Sequence, residues 1–219
     1  MQGLSCKAIE TDEIWTFVQK KQKRLTPLDD ELVRGDQYVF VAIDPDTKLV
    51  PAYTIGKRSG LTALEFMWDL RNRVKDRFQL TTDQYVGYFS AVDKVFGANI
   101  DYAQLRKVYH GNGDGTPMRE GYSPSDLLRT EIESITGKPL RERISTSYIE
   151  RQNLTMRMQL RRFTRLTNGF SKKLENLRAA LALHFYYYNF VRTHQSIRMT
   201  PAMKAGITNR FWGWSEVLN

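Results

Sequence analysis

The chain has 219 residues, enough to bury a full core, and its 33 Lys and Arg against 24 Asp and Glu leave a formal net charge of +9. That balance favours a polyanionic partner such as nucleic acid, although basicity alone fits an acidic membrane surface equally well. A single cysteine, Cys6, excludes an internal disulfide and a Cys-rich zinc ribbon, the three histidines are scattered, and no apolar run approaches the roughly 20 residues of a membrane span.

The start, MQGLSCKAIE, lacks the apolar stretch of a signal peptide, so a soluble intracellular protein is expected. Residues 6–18 (CKAIETDEIWTFV) carry apolar groups on both faces, as a central strand does. Residues 19–37, with Pro27 and the run Asp29-Asp30-Glu31, read as a long polar connection. The β-rich runs 38–43 and 49–55 flank Asp44-Pro45-Asp46-Thr47-Lys48 and predict a hairpin. Ala63, Met67, Leu70 and Val74 at helical spacing predict a helix over 62–77, and FQLTT at 78–82 a short strand, giving the order βββαβ.

Residues 85–96 then suggest a helix and 102–109 a strand, and the Gly-rich HGNGDGTP at 110–117 a turn or loop. Residues 118–146 read as short polar helical pieces around Pro124 and Pro139. Two helices are expected over 148–167 and 171–190, split by Asn168-Gly169, the second placing Leu174, Leu177, Leu181 and His184 on one side. Thr200-Pro201 predicts the start of a last short helix. The organisation expected is an α/β domain over 1–170, with an irregular segment at 97–147, followed by a helical extension over 171–219.

Three carboxylates stand out along this order. Asp12 sits in the middle of the first strand, where an isolated charge is costly unless it is paired, metal-bound or exposed. Asp83 follows FQLTT, at the C-terminal edge of a strand, where open α/β sheets commonly place their ligands. Glu150 heads a helix. Hard oxygen donors of this kind suit Mg²⁺ or Mn²⁺ and serve zinc poorly. Two such ions about 3.5–4 Å apart activate a water or a 3′-hydroxyl for in-line phosphoryl displacement. Each residue also has a structural reading: Asp12 as an edge residue, Asp83 as a helix cap, and Glu150 as a charge suited to a helix N-terminus. Asp44 competes for the first position, but an Asp before Pro45 is more economically a turn former. Asp93, Asp101 and Glu142 read as surface residues, and Glu13 alternates to the face opposite Asp12, so it is not expected in the same site.

From Arg151 to Lys173 there are seven basic side chains and no acidic one: Arg151, Arg157, Arg161, Arg162, Arg165, Lys172 and Lys173. On an ideal helix Asn153, Arg157 and Arg161 fall at i+3, i+7 and i+11 from Glu150, a stripe joining an acid, an amide and two guanidinium groups. Such a stripe suits phosphodiester chemistry, and a solvated basic helix would show the same pattern. For Tyr186-Tyr187-Tyr188, core packing is favoured over stacking on DNA bases.

Three segments carry a family likeness: Thr11-Asp12-Glu13-Ile14-Trp15-Thr16-Phe17-Val18, Leu80-Thr81-Thr82-Asp83-Gln84-Tyr85, and Ile149-Glu150-Arg151-Gln152-Asn153-Leu154 with Arg157 and Phe170-Ser171-Lys172. In these the chain resembles the RNase H-like catalytic part of DDE insertion-sequence transposases, most closely the insertion-sequence-one type, over residues 8–190. The third segment is the most specific. The run Asn189-Phe190-Val191-Arg192-Thr193-His194 with Thr200-Pro201-Ala202 is similar to the tail that follows the core in several such enzymes.

The resemblance implies an RNase H-like mixed sheet flanked by helices, with a basic helical C-terminal region. It implies that Asp12, Asp83 and Glu150 are the catalytic, metal-binding triad for two Mg²⁺ or Mn²⁺ ions. It also implies that Arg151, Asn153, Arg157, Arg161, Arg165, Lys172 and Lys173 face DNA. The expected activity is metal-dependent cleavage and strand transfer of a mobile element, by a homo-oligomer assembled on DNA in the cytoplasm at the nucleoid. The alternatives are an RNase H-like nuclease that stops after hydrolysis and a non-catalytic, DNA-binding regulatory remnant. Family members usually carry an N-terminal DNA-reading region, whereas this sequence starts about ten residues before Asp12, so sequence-specific end recognition is not expected from these residues.

Overall fold

Strand β1 (Ala8–Val18) sits inside a six-stranded mixed sheet because its alternation supplies apolar groups to both faces, Ile9 to one layer and Ile14 and Val18 to the other. The computed structural model describes residues 1–109, 127–164 and 168–218. The other strands are β2 (Gly35–Ile43), β3 (Tyr53–Gly56), β4 (Gln79–Thr82), β5 (Asp101–Tyr109) and β6 (Leu127–Thr136), in the spatial order β3-β2-β1-β4-β5-β6. The first three are antiparallel neighbours, β4 lies parallel to both β1 and β5, and β6 closes the far edge antiparallel to β5. The parallel pairs follow from helical connections: α1 (Gly60–Arg73) leads into β4, and α2 (Val86–Phe96) leads from β4 to β5.

Each face of the sheet has its own core. Phe40, Ala42 and Ile9 meet Phe66, Met67 and Leu70 of α1 and Tyr88 and Val92 of α2. On the other face Ile14, Val39 and Val41 meet Ile149 and Met156 of α3 (Ser147–Gln159) and Leu177 and Leu181 of α4 (Leu174–Tyr186). The C-terminal segment expected as an extension thus shares a core with β1 and β2. Its tie is polar as well: the side chain of Asn189 accepts from the Val50 N–H at 3.0 Å and donates to the Val50 carbonyl at 2.9 Å. Asn189 belongs to a π-helical turn, Tyr187–Val191, that ends α4.

Several sequence expectations change. The segment expected to form polar helical pieces contains β6, whose Glu131 and Glu133 pair across from Arg106 and Gln104 of β5. Cross-strand complementarity at a sheet edge, invisible to a helical-period reading, decides that segment. The second hairpin strand starts at Tyr53 rather than Leu49, because Val50 bonds to Asn189 instead of to a strand. Helix α3 ends eight residues earlier than expected and gives way to a 3₁₀ turn, Arg161–Phe163. There Phe163 enters the core and the Thr16 hydroxyl donates to the Arg162 carbonyl at 3.0 Å, so β1 draws the chain out of the helix. The Gly-rich loop at 110–117 lies outside the described residues. Among those described, no helix is long and apolar enough to cross a membrane.

Candidate active site

The pairing of β1 with β4 stops at Glu10–Thr81, while β1 runs on to Val18, so a notch opens where β4 ends. Asp83 lies immediately after β4, Asp12 and Glu13 lie on the unpaired edge of β1, and one carboxylate oxygen from each of the three falls within 4.8 Å of the others. Asp12 and Glu13 do alternate faces: Asp12 accepts from the Asn153 amide of α3 at 2.8 Å, while Glu13 turns to Arg58 on the α1 side. The expectation that this separates them fails. The notch has no strand to divide its two faces, and Asp83 sits between them.

The electrostatics of the notch are those of crowded acids. Burial, then Glu13 and Asp83, push the Asp12 carboxyl up to about 7. Burial and Asp83 raise Glu13 too, against the Arg58 guanidinium, and burial raises Asp83 against the Tyr85 N–H that donates to it at 3.0 Å. The Glu13 side chain is buried beside the hydroxyl of the fully buried Tyr88, which helps to hold its carboxylate. Three carboxylates with raised proton affinity and ligand oxygens within 4.8 Å of one another fit a hard divalent cation, whose charge would offset their mutual repulsion.

Glu150 lies on α3 but outside this group. Its Oε1 accepts from Lys107 of β5 at 2.5 Å and from the Thr146 hydroxyl at 2.7 Å, although its charge is near enough to raise Asp12. Helix α3 is seated by Glu10, a carboxylate only 2 % exposed and on the same face of β1 as Asp12. Its Oε2 accepts from the first-turn N–H groups of Tyr148 and Ile149 at 2.8 and 3.0 Å, doing from a neighbouring strand what an N-cap side chain does locally. Burial still pushes its carboxyl up to about 7.

The expected DNA-facing residues separate. Asn153 is 4 % exposed and gives its amide to Asp12, so it supports a carboxylate instead of lining an outer stripe. Arg157 is half-buried on α3, and Arg161 leaves the stripe because the helix ends before it. Arg151 and Arg161 are exposed. Lys172 lies 4.0 Å over the Phe170 ring, and Lys173 pairs with Glu175 at 3.4 Å, both at the surface. Arg165 is outside the described residues.

Basic groups missed in the sequence line the mouth of the notch. Arg58, Arg106 and Lys107 border a cleft of about 460 Å³ with Asp83. Arg58 holds Glu13 Oε1 through Nε at 2.6 Å and Nη2 at 2.5 Å, with its guanidinium 4.4 Å over the Tyr85 ring. Position on β5, beside the strand that leads into Asp83, was the readable signal for Arg106 and Lys107. Arg58 had none. Asp44, the rival first carboxylate, accepts from the Asp46 N–H and the Thr47 hydroxyl, both at 2.8 Å, as a turn former.

No family model matches the sequence, and no curated protein does. Among solved structures the chain is similar to the HTLV-2 integrase catalytic core domain in complex with magnesium, in its trimeric form, with a TM-score of 0.50 and 11 % identity over 94 % of this chain and 99 % of that one. It is equally similar to a chain of the simian T-cell lymphotropic virus intasome in complex with PP2A regulatory subunit B56 gamma, with a TM-score of 0.50 and 13 % identity over 94 % of this chain. It spans 56 % of the length of that intasome chain. Likeness at this level concerns architecture, and the six-stranded mixed sheet flanked by helices has the RNase H-like fold of an integrase catalytic core.

Proposed function

We propose that the protein is a metal-dependent DDE polynucleotidyl transferase acting on DNA, and specifically a transposase of an insertion sequence. The observation that carries this reading is the cluster of Asp12, Glu13 and Asp83 where β4 ends in an RNase H-like sheet, with Glu150 of α3 beside it. The fold likeness to an integrase core solved with magnesium supports it, as does the family likeness of the segments around Asp12, Asp83 and Glu150.

Asp12 and Asp83 would hold the cation, with Glu150 as the third ligand and Glu13 tied back by Arg58. Mg²⁺ or Mn²⁺ bound there, as one ion or two, supplies Lewis-acid activation of the nucleophile and neutralisation of the developing charge. Asn153 fixes the orientation of Asp12, and Glu10 fixes α3 and hence Glu150. Lys107 pairs with the Glu150 carboxylate until that carboxylate is recruited as a ligand and, with Arg58 and Arg106, meets the phosphodiester entering the notch. Water attacks that phosphodiester and frees a 3′-hydroxyl. This hydroxyl then attacks a target phosphodiester, each step forming one P–O bond and breaking another. The similar integrase core is in a trimeric form, and here too two or more copies would work together on DNA.

The test supplies a pre-cut duplex end and a supercoiled plasmid in Mg²⁺ or Mn²⁺. Covalently joined products, lost in Asp83→Asn, are the expected result. Hydrolysis that never proceeds to joining would instead identify a nuclease, and tight DNA binding with neither reaction a regulatory DNA-binding protein.

A further inference from the structure

Across α3 from the acidic notch lies a second cleft, of about 420 Å³. Glu150 and Asn153 look toward the notch, whereas Tyr148, Arg151 and Gln152 lie on the opposite side of the helix, as its 100° per residue requires. Facing them are Lys48, from the turn after β2, and Arg192 and His194, from the loop after the π-helical turn. No carboxylate is among the residues that line this cleft.

The polar groups here are incompletely satisfied. Gln152 Nε2, Arg192 Nη1 and His194 Nε2 are buried without a hydrogen-bond partner, and Gln152 is only 2 % exposed. An unpaired buried polar atom costs about 1–3 kcal/mol, and the three residues that carry these atoms all line the one cleft. Lys48 is held in the wall, its Nζ donating to the Pro45 carbonyl and lying 3.5 Å over the Tyr148 ring. The field is positive: burial, then Arg192 and Lys48, lower the His194 pKa. A protein whose cations were merely surface solubilisers would not bury a guanidinium nitrogen, an amide and an imidazole around one space.

We propose that this cleft is a second phosphate-binding site, which takes a backbone phosphate of a DNA duplex on the side of α3 away from the metal centre. Cationic and polar side chains from three separate chain segments, with no carboxylate among the lining residues, suit an anion with several acceptor oxygens. That the phosphate belongs to DNA rests on the function proposed above, whereas the phosphate site itself rests on the cleft alone. Occupied in this way, α3 would be gripped by nucleic acid on one side and carry Glu150 on the other.

The experiment follows the ring-nitrogen signals of His194 in ¹⁵N-histidine-labelled full-length protein, in EDTA so that no reaction contributes. Inorganic phosphate, a short duplex and polyglutamate are titrated separately. Phosphate and duplex should both move the His194 signal, with the duplex effective at lower concentration, and polyglutamate should not. Arg192→Gln should abolish the response to phosphate and lower the salt dependence of duplex binding by about one unit of slope. Arg151→Ala, at an exposed position that folding does not depend on, should weaken duplex binding with the same reduction in slope. A silent His194 with both phosphate and duplex would overturn the proposal. A response to phosphate but not duplex would overturn its assignment to DNA, and a stronger response to polyglutamate would make the site one for an acidic protein segment. Failure of strand joining in Mg²⁺ with an intact His194 response would count against the transposase reading and leave this site standing.

Discussion

Asp12 is held by Asn153 on one side and crowded by Glu13 and Asp83 on the other, which is where the proposed function would put the cation. Asn153→Ala should therefore lower divalent-metal affinity about ten- to a hundredfold, the usual cost of removing an outer partner of a metal ligand, with little change in thermal stability. Titration calorimetry with Mn²⁺ reads this directly, and unchanged affinity would return Asn153 to a packing role. A second residue-level test concerns His184, which is 6 % exposed and whose pKa is lowered to about 4 by burial and by Arg192. Its unfolded form takes up a proton near 6.5 and its folded form only near 4, so its contribution to stability is complete above about 6.5 and is lost as pH falls through about 4. The acids of the notch have raised pKa values and act in the opposite sense. The informative quantity is thus the Tm difference between wild type and His184→Gln, which should shrink as pH is lowered from 6.5 to 4.

At the scale of elements, α3 carries the account, since one helix presents Glu150 and Asn153 to the notch and rests its first turn on Glu10. Glu10→Ala should leave the Tyr148 and Ile149 N–H groups without their acceptor. A cost of about 1–3 kcal/mol then appears as faster amide exchange at those two positions. If their exchange is unchanged, another group seats the helix. Leu181→Ala, at a fully buried position of α4, should cost about 2–5 kcal/mol by chemical denaturation, because α4 shares its core with β1. A near-neutral result would mean that the C-terminal helix is only loosely attached.

These elements also show what the sequence could reveal. β1, the β2 turn, α1 and β4 were legible because local alternation, the Asp44 turn and helical spacing agree there with the tertiary structure. β6 was not, because its pattern is set by partners on β5, and the end of α3 was not, because Thr16 of β1 draws the chain away. The positions of Asp12, Asp83 and Glu150 could be proposed from strand ends and family likeness. Glu13 and Arg58 could not, since their role depends on β4 stopping short of β1. Glu10 was readable in principle, being an acid of the same parity as Asp12 in a buried strand.

Among the described residues, cations flank the small acidic centre on two sides. Arg58, Arg106 and Lys107 border the notch, and a second set of cations flanks the far side of α3. Duplex binding in EDTA should weaken steeply with salt, and Arg106→Ala should reduce the slope of log K against log salt by about one unit for every sequence tested. A slope unchanged by this substitution would take Arg106 out of the DNA path.

The central claim, that the notch between β1 and β4 is a metal centre, is tested most directly by anomalous diffraction from crystals of the protein soaked in Mn²⁺. A manganese peak coordinated by Asp12 and Asp83, with Glu150 released from Lys107 as a further ligand, is the result expected. Crystals that bind Mn²⁺ only elsewhere, or not at all, with Asp12 and Asp83 well ordered, would contradict it.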